Sequence, residues 1–168
     1  EGQIWMDTLF MTVLFLARMG RLTGNREFKA EAIHQYLVHI KYLYEKKTGL
    51  FYHGWTFVDN GNFGGIFWCR GNSWFTSSVV DFIEIMGEDL DDGVRAYLLD
   101  TYRAQVTALA GLQDASGLWH TVLDDPTSYV ESSGSAGFAY GMLKGIRLGY
   151  LDASYRPVAE RAVEAILA

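Results

Sequence analysis

The stretch DTLFMTVLFLARM, residues 7–19, decides the fold. It is apolar on nearly every face, the pattern of a helix buried all round rather than one lying on a surface. Gly20 follows and reads as its stop. Two further runs share this character, at roughly 73–86 and 134–148, and they close on Gly87 and Gly149. Amphipathic segments alternate with these runs. In 27–45, Ile33, Tyr36, Leu37, Ile40 and Tyr44 form one stripe. In 92–112, Val94, Leu98, Thr101, Leu109 and Leu112 do so, with Gln105 as a polar interruption. A third begins near Ala153 and carries Val158, Ala159, Val163 and Ile166. Such stripes fit helices with one face on a core and one in water.

The unit is therefore buried helix, short turn, outer helix, long loop, and it repeats. Thr48-Gly49-Leu50-Phe51-Tyr52 resembles Ser116-Gly117-Leu118-Trp119-His120, 68 positions later. That period suggests an array of helical hairpins, with strands minor and confined to loops. The short connections follow Gly20, Gly87 and Gly149, and the long ones span about 46–72 and 113–133. Antiparallel hairpins place all long loops at one end, together with the N-termini of the inner helices. Long ordered loops tend to carry binding and catalysis, and helix N-termini favour anions. That end gathers Trp5, Asp7, His53, Trp55, Trp68, Arg70, Trp74, Glu131, Ser132 and Ser133.

Composition narrows what this end can do. Hydrophobic residues make up 49% of the 168 and charged ones 20%, so the chain is globular. A net charge of −6 without any basic run argues against nucleic acid or an anionic membrane as partner. There is no apolar run of about 18 residues to span a membrane. The single cysteine, Cys69, excludes an intrachain disulfide and a cysteine-based zinc site, and reads as a buried, inert thiol. His34 and His39 are spaced wrongly for one helix face, and neither a Gly-x-Ser-x-Gly elbow nor a phosphate-binding glycine loop is present. No metal and no cofactor is implied.

Segment 50–75 holds nine aromatic residues, interleaved with glycines such as Gly54, Gly64 and Gly71. Aromatic platforms beside polar groups suit sugar rings, whose C–H faces are apolar and whose hydroxyls need partners. Asp7 opens an otherwise apolar helix. It reads equally well as a cap of the first turn and as an acid–base group. Arg70 suits a substrate carboxylate, or else a structural pair with Glu131 or Asp7. His53 suits a sugar hydroxyl or the orientation of an acid. Glu131-Ser132-Ser133 also reads as a capping cluster, and Asp124 and Asp125 before Pro126 read as turn chemistry.

IWMDTLFM, FYHGW, WCRGNSW and ESSGSAGFAYGM, in this order and spacing, resemble the unsaturated uronyl hydrolases of glycoside hydrolase families 88 and 105. The resemblance covers essentially the whole chain. It implies an all-α (α/α)6-barrel, of which residues 1–168 supply about three hairpins as a single partial domain, with the remainder of the ring expected mostly before Glu1. It implies an oligosaccharide substrate ending in a Δ4,5-unsaturated uronic acid, most simply of the rhamnogalacturonyl type. The glucuronyl type is the alternative. A non-catalytic carbohydrate-binding module or a helical scaffold are alternatives from other classes. The family's catalytic aspartate corresponds to Asp7, its histidine to His53, and its aromatic and arginine site positions to Trp68, Arg70 and Trp74. Trp5, Glu131, Ser132 and Ser133 complete the expected substrate site. A second family aspartate is expected before Glu1, so these residues alone are not expected to form a competent enzyme. Hydrolases of this kind commonly process imported oligosaccharides, which implies a cytoplasmic location.

Overall fold

The computed structural model describes residues 2–168. Three hairpins follow one another. A short strand β1 (Gln3–Trp5) leads through Asp7 and Thr8 into a π-helical turn, Leu9–Val13, which continues as α1 (Leu14–Thr23). The outer helix α2 (Arg26–Leu43) returns. The long loop after it carries β2 (Tyr44–Glu45), β3 (Leu50–Phe51), β4 (Gly54–Thr56) and β5 (Gly61–Phe63). Helices α3 (Cys69–Met86) and α4 (Asp92–Leu112) form the second hairpin. Strands β6 (Trp119–His120) and β7 (Val130–Glu131) lie in the next loop, before α5 (Ser132–Arg147) and α6 (Arg156–Leu167). α3 packs between α1 and α5, and α2, α4 and α6 back them from outside. The strands stay in the loops, as expected.

Local chemistry sets most boundaries. Asn25 caps α2 by accepting from the amides of Glu27 and Phe28, and Asp91 caps α4 through Gly93 and Val94, each worth about 0.5–2 kcal/mol. Gly87 and Gly149 sit at positive φ, 52° and 74°, where the chain turns out of α3 and α5. Gly20 does not end the first helix. It is buried inside α1, where a Cβ would lie 2.9 Å from Lys29 Cγ and 3.1 Å from Lys29 N. The stop is Gly24, at φ 72°. The first helix is also not buried all round. Met11, Phe15 and Leu22 are 56%, 65% and 81% exposed, so α1 keeps one apolar face uncovered.

The repeat seen in the sequence is a repeat of contacts. Gly49 and Gly117 both adopt positive φ, and each presses on the next outer helix, at Ala104 and Ala108 of α4 and at Arg161 and Ala165 of α6. After each glycine, one strand amide is held by an inner-helix side chain: Phe51 N donates to Asn72 Oδ1 at 2.8 Å and Trp119 N to Ser135 Oγ at 3.0 Å. Two buried tyrosines of the outer helices also correspond, Tyr36 donating to Ser78 Oγ and Tyr102 to Gly141 O. Gln105 is no flaw in its stripe. It is buried, donates to Asn72 O, and accepts from Thr76 Oγ1 at 2.7 Å.

Glycines bring α5 close to its neighbours. A Cβ on Gly137 would lie 2.8 Å from Ser73 Cβ, and one on Gly141 or Gly145 would run into Thr76 O or Tyr102 Oη. The Thr76 carbonyl belongs to a helix backbone and cannot swing aside. Gly141→Ala therefore forces α3 and α5 apart at a cost of about 1–3 kcal/mol, against a helix-propensity gain of at most about 1 kcal/mol. A lower urea midpoint is the expected result, and an unchanged one contradicts this packing.

Candidate active site

Pairing within one small sheet builds the centre of the site. β1 runs antiparallel to β4 with Trp5 opposite Gly54, and β4 pairs with β5 so that Gly54 faces Phe63. A further bond runs from Met6 N to His53 O at 3.0 Å. This register joins residues far apart in sequence, and His53 Nε2 comes to 3.3 Å from Asp7 Oδ2. The Asp7 side chain is 42% exposed and sits in the first turn, just before the π-helical segment, a distortion common at functional sites. Among the described residues no helix amide bonds to the Asp7 carboxylate, so capping does not account for it.

Indoles wall the histidine. The Trp5 ring meets His53 edge-on at 5.2 Å and the Trp68 ring does so at 4.6 Å. Phe63 supports Trp5 in turn, at 4.3 Å. Among the described residues His53 Nδ1 is buried without a partner, above Gly71, where a Cβ would come to 2.8 Å, so only glycine leaves the ring its place.

Arg70 lies in the first turn of α3, which starts four residues earlier than the apolar run suggested. Its guanidinium stands 4.4 Å from the Trp68 ring centroid, a cation–π contact, and Nη1 donates to Ser133 Oγ at 3.2 Å. Among the described residues it forms no ion pair with Glu131, Asp7 or any other carboxylate. Glu131 itself caps α5, accepting from Ser133 N at 2.8 Å and Gly134 N at 2.9 Å, and also from Ser133 Oγ at 2.6 Å. Ser133 thus links the cap to Arg70. Ser132 opens the same helix from an exposed position. Cys69, buried beside Glu131, has its thiol pushed up in pKa by burial, in keeping with an inert group. Asp125 accepts from Thr127 N and Oγ1, turn chemistry as expected.

Trp74 is one turn beyond Arg70 and packs against Phe10 at 5.1 Å. Phe10, Trp74, Ser77, Asp81, Ser133 and Tyr140 line a cavity of ≈ 260 Å³ on the inner-helix face. At its far end Lys144 pairs with Asp81 and Glu84, both at 2.6 Å, and Tyr140 donates to Asp81 at 2.8 Å. The aromatic segment therefore divides. Phe51, Phe67 and Phe75 are core, Trp55 packs on Tyr42, and Trp68 and Trp74 face the site with Trp5. Phe10 and Gly71, which lie inside the motifs, and Phe63 support the site without having been singled out for it. Phe63 was visible only as one of the nine rings.

Burial pushes the pKa of His53 down, the Asp7 carboxylate pulls it up, and the Arg70 guanidinium lowers it again, with a downward net shift. The ring is therefore neutral at neutral pH. Arg70→Gln removes the repelling cation, so the His53 midpoint in an NMR titration rises; a midpoint that stays or falls contradicts this electrostatic arrangement. Among the described residues no group of three His, Cys, Asp or Glu side chains is placed to hold a metal ion, and no helix is long and apolar enough to cross a membrane.

Inner helices that turn their N-termini toward the end holding the long aromatic loops make this three hairpins of an α/α-toroid. Known proteins agree. The pattern of Glycosyl Hydrolase Family 88 matches residues 1–168, and the chain belongs to that family. It is 33% identical over 165 residues to the unsaturated rhamnogalacturonyl hydrolase YesR of Bacillus subtilis, covering 98% of this chain and 46% of that protein. A possible member of the GH105 family from Salmonella enterica superposes with a TM-score of 0.96 at 48% identity, over 99% of this chain and 44% of that one. The unsaturated glucuronyl hydrolase of Bacillus sp. GL1 superposes at 0.78 with 25% identity, over 98% and 46%. The chain thus spans about half the length of the relatives it matches.

Proposed function

We propose that the protein containing these hairpins removes a Δ4,5-unsaturated uronic acid from the end of a rhamnogalacturonan oligosaccharide, with Asp7 as proton donor. One observation carries the reading: the Asp7 carboxyl stands 3.3 Å from His53, at an indole-walled face where, among the described residues, the Arg70 guanidinium has no carboxylate partner. A substrate carboxylate would pair with Arg70 through two hydrogen bonds. Asp7 would give a proton to C4 of the enol ether. Water would add at C5 and return its own proton to Asp7. The hemiketal so formed opens to a C5 ketone, and C1, now an acyclic hemiacetal, releases the remaining sugar as the alcohol. Net consumption is one water. This differs from hydrolysis by two flanking carboxylates at the anomeric carbon. Trp5, Trp68 and Trp74 would contact sugar faces, and Glu131, Ser132 and Ser133 would border the same site. The identity to the YesR hydrolase supports the rhamnogalacturonyl type over the glucuronyl type.

The remainder of the ring, supplied by further residues of the same protein, would cover the free edges. The open face of α1 at Met11, Phe15 and Leu22 supports this, as does the apolar groove between α5 and α6 lined by Ala139, Val163, Ile166 and Leu167. The cytoplasmic setting rests on the family resemblance alone.

The test incubates the complete protein with unsaturated rhamnogalacturonan and glycosaminoglycan disaccharides while following the ultraviolet absorbance of the conjugated enol ether. Absorbance lost faster from the first substrate is expected. Binding without any loss points to a carbohydrate-binding module and overturns the reading.

A further inference from the structure

The peptide group between Trp5 and Met6 is held at both of its polar atoms. Its N–H donates to His53 O at 3.0 Å. Its carbonyl oxygen lies 3.0 Å from Nε2 of His39, a fully buried residue of the outer helix α2. The other ring nitrogen, Nδ1, lies 2.7 Å from Gln35 O, one turn back in the same helix. The residues on either side of this peptide are those the site needs most exactly placed. The Trp5 ring stands against His53, and Asp7 follows Met6. His39 is thus the route by which an outer helix fixes where the inner helix begins. Burial pushes the His39 pKa down, so the neutral ring has a single N–H, and as the Nε2–H tautomer it donates to the Trp5 carbonyl.

We propose that His39 is a positioning residue for Asp7: by holding the Trp5 carbonyl from α2, it sets the first turn that presents the Asp7 carboxyl to His53. This rests on the hydrolase reading only for its kinetic consequence. The geometric claim stands apart from it. Buried polar groups left without partners cost more than the bond itself contributes, so losing Nε2 frees the peptide to shift. A displacement of about 1 Å at a reacting group costs as much as 10²-fold in rate.

Two substitutions separate the ring's nitrogens. In His39→Gln the side-chain amide reaches the place of Nε2 and keeps the Trp5 bond. In His39→Asn it reaches only the place of Nδ1 and keeps the Gln35 bond. Both are made in the complete protein. Turnover of the unsaturated disaccharide is measured beside the NMR resonances of the His53 ring. With His39→Asn, kcat is expected to fall about 10- to 100-fold with little change in KM, by the same displacement argument, and the His53 resonances move. With His39→Gln both stay near wild type. His53 resonances unmoved in His39→Asn, or two substitutions with equal effects, overturn the proposal. If the wild-type protein itself leaves the enol ether intact, the hydrolase reading falls, and the His53 resonances alone decide the role of His39.

Discussion

Asp7→Asn in the complete protein is expected to lower kcat by roughly 10²- to 10⁴-fold, the usual worth of a positioned general acid, while KM for the unsaturated disaccharide changes little. The amide has the shape of the carboxyl but no acidic proton to give. Aromatic walls and the Arg70 guanidinium remain, so sugar binding survives. Among the described residues the carboxyl caps no helix amide, so its loss costs the fold little, and a fall in rate cannot be blamed on an unravelled first turn. Full turnover by the variant would remove Asp7 from the chemistry. A parallel collapse of kcat and of thermal stability would make it a structural group instead.

Trp119→Ala is expected to produce the largest loss of stability, about 3–5 kcal/mol, as for other buried tryptophans truncated in cores. Its side chain is fully buried, meets Phe138 edge-on at 5.1 Å, and donates from Nε1 to Leu109 O at 2.8 Å. Truncation opens a cavity under the loop between α4 and α5 and leaves that carbonyl without its indole partner. The same loop residue also anchors β6 through Ser135. A fall in the denaturant midpoint with an unchanged slope is the expected readout. A midpoint within experimental error of wild type would mean that the repeat motif around Gly117 is not part of the core.

The hairpin array was legible because its period is carried by chemistry that sequence displays: glycine stops, apolar runs and matched loop motifs. α4 falls on the expected residues 92–112 because Asp91 caps it and its stripe is regular. Gly20 misled because a glycine needed for close approach to α2 looks the same as one needed for a turn, and Gly24 lies only one turn further. The early starts of α3 and α5 were hidden because their first turns carry polar residues in place of apolar ones, Arg70, Ser132 and Ser133 at the site and Asn72 in a buried network with Phe51 and Gln105. The outward face of α1 was hidden for another reason: an all-apolar helix reads as buried whether or not its partner is present.

For the candidate site, the motifs placed these elements at one end, yet the closeness of Asp7 and His53 was not readable. It depends on the register of three-residue strands, where a shift of one residue would reverse every side chain. Arg70 shows the converse. Sequence left open a structural pairing with Glu131 or Asp7. The fold instead commits Glu131 to its helix cap and leaves the guanidinium over Trp68.

The most direct measurement is a crystal structure of the complete Asp7→Asn protein holding an unsaturated uronyl disaccharide. The uronate carboxylate should lie on Arg70, and C4 of the double bond should sit within about 3–3.5 Å of the amide at position 7, the distance of a reactive arrangement. A sugar bound elsewhere, or one whose double bond is turned away from that amide, would contradict the role given to Asp7.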